Sequence, residues 1–186
     1  MKDKGDGGMA YDQMIGEGNA EGNKLVQDEQ DFPEAQKAMR GKLRMIRQGN
    51  MGGSGGFARN MFEVVEGRQT PQGVEKSDYV LILDDDILLE SEGVLRAAAF
   101  ADMCHTPSIV GGHMFDMYNK PLLNAYAEVV NPYRFLWGPV EGLGAVDFAE
   151  RGLRSRPKLH RRWDADYNGW WMCLIPRVIL EEIGLS

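Results

Sequence analysis

The chain of 186 residues predicts an α/β layered domain, and three observations carry that expectation. Tyr79-Val80-Leu81-Ile82-Leu83 is an unbroken apolar run of strand length, the pattern of a strand covered on both faces in a parallel sheet. Helical periods flank it. Phe57 to about Glu66 places Phe57, Met61, Val64 and Val65 on one face, and Ser91 to Met103 carries the helix-favouring Ala97, Ala98 and Ala99. Alternating strands and helices pack in layers, and ligands in such sheets bind beyond the carboxyl ends of the strands.

The remaining elements follow in order. Residues 1–30 form a poorly ordered leader, or the remnant of a preceding region, rich in Gly, Asp, Glu and Asn. Within it Lys24-Leu25-Val26 reads as a short strand. Residues 31–186 form the core. Pro33 to Met39 is a helix opened by proline, and Leu43 to Arg47 alternates as a strand does. Gln48 to Gly56 is too glycine-rich for a regular element, and Gly67 to Gly73, with Pro71, reads as a loop. Ile109 to Gly112 is a short strand. Glu128 and Trp137 fall in an irregular region, and Arg177 to Ile183 is a helix stopped by Gly184.

Composition narrows the function. A net charge of −7 argues against a nucleic-acid partner, which needs clustered positive charge. No apolar run approaches the roughly 18 residues of a membrane span, and the N-terminus lacks the apolar core of a secretory signal. Cys104 and Cys173 lie far apart in unlike contexts, so neither a disulfide framework nor a cysteine-rich zinc site is expected, and a reducing cytosol is the default.

Three stretches carry chemistry. Asp84-Asp85-Asp86 follows the apolar strand directly, and on an extended chain Asp84 and Asp86 project to one side. Two carboxylates there suit a hard divalent cation, Mg²⁺ or Mn²⁺, which keeps ligand positions for phosphate oxygens. The same triplet also reads as a solvated acidic turn before the next helix. Gly53-Ser54-Gly55-Gly56-Phe57-Ala58 fits G-x-G-x-x-A between a strand and a helix, where backbone N–H groups approach phosphate or a base closely. It lacks the acidic residue of a dinucleotide site about 20 residues on, and it equally suits a plain turn. Finally, residues 159–171 mix His160, two arginines, Tyr167 and the pair Trp170-Trp171. Tryptophan stacks on the apolar C–H faces of sugars or fills a core, and one of the pair is expected in the core. Glu128 and Trp137 are candidates for the same pocket. His160 fits a structural hydrogen bond as well as catalysis.

Taken in order, Asn50-Met51-Gly52-Gly53-Ser54-Gly55-Gly56-Phe57, Asp84-Asp85-Asp86, Val110-Gly111-Gly112, Glu128-Val129-Val130 and Asp164-Ala165-Asp166-Tyr167-Asn168-Gly169-Trp170-Trp171 resemble the bacterial polymerising galactofuranosyltransferases, within the family 2 glycosyltransferases. The resemblance covers about residues 31–186. It implies a GT-A fold, a mixed Rossmann-like sheet flanked by helices, with UDP-galactofuranose as donor, Mn²⁺ or Mg²⁺, and inversion at the anomeric carbon. Asp84 and Asp86 match the metal ligands. Asn50, Gly52, Gly53, Asp84 and Asp85 match the donor site, and Glu128, Trp137, Tyr167, Asn168, Trp170 and Trp171 surround the sugar and acceptor. It further implies a glycan or glycolipid acceptor of the cell envelope and peripheral association with the inner face of the cell membrane. Homo-oligomerisation is compatible with it.

The family's general base lies in a Trp-Asp-Asp segment past the Ile-Gly-Leu-Ser region. This chain reaches Ser186 before it, so no catalytic base is expected within it and little transfer by these residues alone. Two other classes remain open: a Mg²⁺-dependent phosphoryl-transfer enzyme using Asp84 and Asp86, and a non-catalytic binding or assembly module.

Overall fold

The structure is a computed structural model that describes residues 10–11, 32–40, 42–46, 48–49, 52–84, 86–140 and 142–185. The chain forms two compact units: residues 1–81 with 175–186, and residues 82–174. The readings that fall on Lys24-Leu25-Val26, Asn50 and Asp85 lie outside the described residues.

In the first unit, β1 (Ala10–Tyr11) pairs in parallel with β2 (Arg44–Met45), after the short helix α1 (Phe32–Ala38). Helix α2 runs from Gly52 to Glu66. The glycine stretch expected to be irregular is therefore its first turns. Each glycine costs roughly 1 kcal/mol relative to alanine within a helix, so the helix is held from its other half. Met61 is buried there, and Glu63 bonds Arg59 one turn earlier at 2.8 Å and also pairs with Arg44. Gly56 is buried, where a larger residue would need room.

The segment expected as a loop after α2 is a hairpin, β3 (Arg68–Thr70) with β4 (Gly73–Glu75). Pro71 escapes the ladder because it sits in the turn, where its fixed φ is useful. The Thr70 hydroxyl bonds Gly73 O at 2.8 Å and closes that turn. Strand β5 (Tyr79–Ile82) then follows, its residues alternately half-buried and buried.

In the second unit, α3 (Ser91–Met103) has the predicted limits and buries Ala97 and Ala101, one turn apart, packing against β6 (Val110–Gly111). Next come β7 (Met114–Phe115), β8 (Leu122–Ala125), β9 (Glu128–Asn131), β10 (Leu136–Pro139) and β11 (Val146–Asp147). β7, β8 and β11 form an antiparallel sheet in the order β11-β8-β7. Below it Leu123, Tyr126, Leu143 and Val146 make a core against which Val140, Phe148, Leu159 and Trp163 pack.

Strand β12 (Cys173–Pro176) is buried throughout; Cys173 and Leu174 pair antiparallel with β6. It is also a hydrogen-bonded neighbour of β5. In the first unit α4 (Arg177–Ile183) follows, with the predicted limits, and packs on α2. The Arg177 backbone N–H donates to Asp78 O at 2.8 Å and its Nε to Ser77 O at 2.9 Å, which ties α4 to the start of β5.

The α/β class is borne out. The strands are mixed in direction, as expected, but divided among short sets. The described strands fall into five short sets: β1–β2 is parallel, and β3–β4, β6–β12, β7–β8, β8–β11 and β9–β10 are antiparallel. Among the described residues no helix is long and apolar enough to cross a membrane.

Candidate functional site

Glu128 and Trp137 lie in regular structure, not the irregular region expected. They belong to a four-pair antiparallel hairpin with Trp137 opposite Val130 and Glu128 opposite Pro139. Period alone hid it, because much of the hairpin is exposed and no glycine marks its turn.

The far edge of β9 is closed by the segment after Trp163. The backbone N–H groups of Asp166 and Tyr167 both donate to Glu128 O, at 3.0 and 3.1 Å, and Tyr167 forms a bridge opposite Glu128. The Asp166 carboxylate accepts the Val130 N–H at 3.3 Å. It supplies the oxygen that a third strand would otherwise bring to an edge donor.

Residues directly opposite in a ladder share a face, as do residues two apart on one strand. Glu128, Val130, Trp137 and Tyr167 therefore share one face of this small sheet. The rings of Trp137 and Tyr167 stack over it, centroids 5.0 Å apart and planes within 25°. Trp137 remains 55% exposed, so the stack presents an open aromatic surface to a ligand. Partial burial raises the Glu128 carboxyl from its ordinary value. A polar group beside an open aromatic face suits a sugar, whose hydroxyls and C–H faces need both.

The next residues are fixed differently. Trp171 is half-buried and donates its Nε1–H to Gly112 O at 2.8 Å; Trp170 is 37% exposed. The pair thus divides, with Trp171 the inward member. Gly169 is buried because a Cβ there would lie 1.8 Å from the Trp171 ring. Asn168 is half-buried with its Oδ1 where a Cβ on Gly111 would fall, 2.0 Å away. Gly111 and Gly169 are small for packing reasons that spacing alone did not reveal. Cys173 is buried beneath this segment, and burial pushes its thiol up to about 11, so it is not a reactive nucleophile.

The acidic run lies past the last residue of β5. Asp84 is half-buried and outside the strand, and Asp86 is exposed in a turn. The expected projection of both to one side of an extended strand does not apply, since strand alternation ends with the ladder at Ile82. Their donor chemistry, two hard carboxylate oxygens, fits Mg²⁺ or Mn²⁺ with other positions left for ligand oxygens. Among the described residues no group of three His, Cys, Asp or Glu could hold a metal by itself.

Gly52 and Gly53 sit in the first turn of α2, in the first unit, where helix N–H groups lack intrahelical acceptors. His160 has the hydrogen bond of the structural reading: its Nε2 bonds Leu153 O at 2.8 Å between two 3₁₀ turns. Sequence reasoning passed over Asp166 as a side chain with a task, although it stands within the quoted motif.

No family model matches the chain. It is 39% identical over 169 residues to the galactofuranosyltransferase GlfT2 of Mycobacterium tuberculosis, covering 88% of this chain and 25% of that protein. It is 35% identical over 170 residues to the galactofuranosyltransferase GlfT2 of Mycolicibacterium smegmatis, with the same coverage. The chain therefore spans about a quarter of the length of the curated relatives it matches. The resemblance drawn from the ordered motifs is borne out by these relatives.

Proposed function

We propose that the chain carries the nucleotide-sugar-binding core of an inverting galactofuranosyltransferase, taking UDP-galactofuranose as donor and a growing cell-envelope glycan as acceptor. The observation that carries the reading is the face of Glu128, Trp137 and Tyr167, in a chain similar over 88% of its length to two galactofuranosyltransferases.

In this reading Trp137 and Tyr167 hold a sugar ring by its C–H face. Glu128, on the same face, hydrogen-bonds a sugar hydroxyl beside them. Trp171, locked to Gly112, sets the depth of the site, and Trp170 lines its rim. Asp84 and Asp86 would hold a divalent cation, which when bound neutralises negative charge on a departing diphosphate. Gly52, Gly53 and Asp85 keep the donor-binding roles that the resemblance implies. None of the described residues is assigned as general base, and the chain alone is expected to bind donor without efficient turnover. Peripheral attachment to the inner face of the membrane belongs to the same reading.

The test is a titration of the chain with UDP, with and without Mn²⁺. Tight binding that needs Mn²⁺ and falls about tenfold or more in Asp84→Asn/Asp86→Asn supports the reading. UDP binding indifferent to both metal and substitution, or efficient hydrolysis of simple phosphate esters, rejects it.

A further inference from the structure

We infer that Tyr133 and Phe135, at the tip of the β9–β10 hairpin, form a second glycan platform that takes acceptor sugars beyond the one at Trp137 and Tyr167; this rests on the acceptor reading above. Four residues, 132–135, join Asn131 to Leu136. The loop is fixed in shape, because the Asn131 side-chain oxygen accepts the N–H groups of Tyr133 at 3.0 Å and Arg134 at 3.1 Å. Phe135 closes it at φ 52, in the left-handed region where glycine or asparagine is at ease and a bulky residue is strained.

The strain is not offset by burial. Phe135 is 89% exposed and Tyr133 91% exposed. An aromatic ring that is both strained and unburied has no folding reason to be there, and such residues cluster where a ligand is met. Trp137 is two residues on, at most about 7 Å of extended chain from Phe135. The exposed aromatic residues of the tip therefore stand within a short reach of the Trp137–Tyr167 stack. Arg134, exposed and adjacent to both in sequence, adds donors for sugar hydroxyls. A neutral polymer of repeating rings is the occupant whose chemistry and length follow that spacing.

The test is tryptophan-fluorescence titration of the 186-residue chain with a galactofuranose disaccharide and a hexasaccharide. The expected result is that the wild type binds the hexasaccharide about tenfold more tightly. Phe135→Gly and Tyr133→Ala should bring hexasaccharide affinity down to that of the disaccharide, with disaccharide affinity unchanged. Phe135→Gly should melt no lower than wild type, because glycine accepts this φ. Equal affinities for the two glycans in the wild type, or an unchanged hexasaccharide affinity in Phe135→Gly, would overturn the platform alone. Loss in Phe135→Gly of binding to phosphatidylserine-containing vesicles, with hexasaccharide affinity intact, would assign the tip to a membrane and overturn it too. Binding of neither glycan by the wild type would overturn the acceptor reading itself and the platform with it.

Discussion

The acidic run and the aromatic hairpin face belong to the same unit, but they are built on opposite terms. The aromatic face is made by the backbone: a four-pair ladder, two further N–H bonds to Glu128 O and the Asp166 carboxylate set Trp137 against Tyr167 without any ligand. The acidic run lies beyond its ladder, with Asp86 exposed in a turn. One face is finished by folding; the other, in the function proposed above, would be completed by a cation and an anionic ligand. Perturbing the first should therefore cost stability as well as binding, and perturbing the second should cost binding alone.

The largest effect is expected at Gly169→Ala. The new Cβ meets the ring of Trp171, which is held to Gly112 O at 2.8 Å and has no free direction to yield. A loss of roughly 1–3 kcal/mol is expected from such overpacking, visible as a lower urea midpoint. An unchanged midpoint would mean the segment around Trp171 is not fixed as described. Trp137→Ala comes next, reducing glycan affinity about tenfold, or ~1.4 kcal/mol, by removing one member of the stack. Asp86→Asn should cut Mn²⁺-dependent UDP affinity while leaving the melting temperature level, since Asp86 is exposed in a turn. A clear fall in melting temperature would show that Asp86 is structural.

A smaller effect concerns pH. Burial raises the Glu128 carboxyl, so its contribution to stability is present below the ordinary glutamate range and lost as pH rises through the raised value. Glu128→Gln, which keeps a neutral side chain, should gain melting temperature over wild type as pH rises through that window. A gap that does not change with pH would contradict the assignment. Smallest of all, His160→Ala removes one exposed hydrogen bond and should cost no more than about 1 kcal/mol, with UDP and glycan binding intact.

The same contrast explains what was readable in the sequence. Helices α3 and α4 kept their predicted limits, because their alanine-rich or apolar stripes and the stop at Gly184 are local signals. The β3–β4 hairpin was read as a loop because its strands are only three residues each and largely exposed, and the β9–β10 hairpin was missed because its turn uses the strained Phe135 where Gly would announce it. The glycine stretch before Phe57 was read by propensity as irregular, and the far half of α2 overrides it. The Asp166 and Tyr167 bonds to β9 join residues 36 or more apart in sequence, which no local pattern discloses.

The central claim is that the finished aromatic face and the ligand-dependent acidic run serve two different ligands. It is tested most directly by titrating Trp137→Ala and Asp84→Asn/Asp86→Asn, each with a galactofuranose hexasaccharide and with UDP plus Mn²⁺. The account predicts a double separation: the first variant loses glycan and keeps UDP, and the second loses UDP and keeps glycan. Equal loss of both ligands in both variants, or of neither in either, would contradict it.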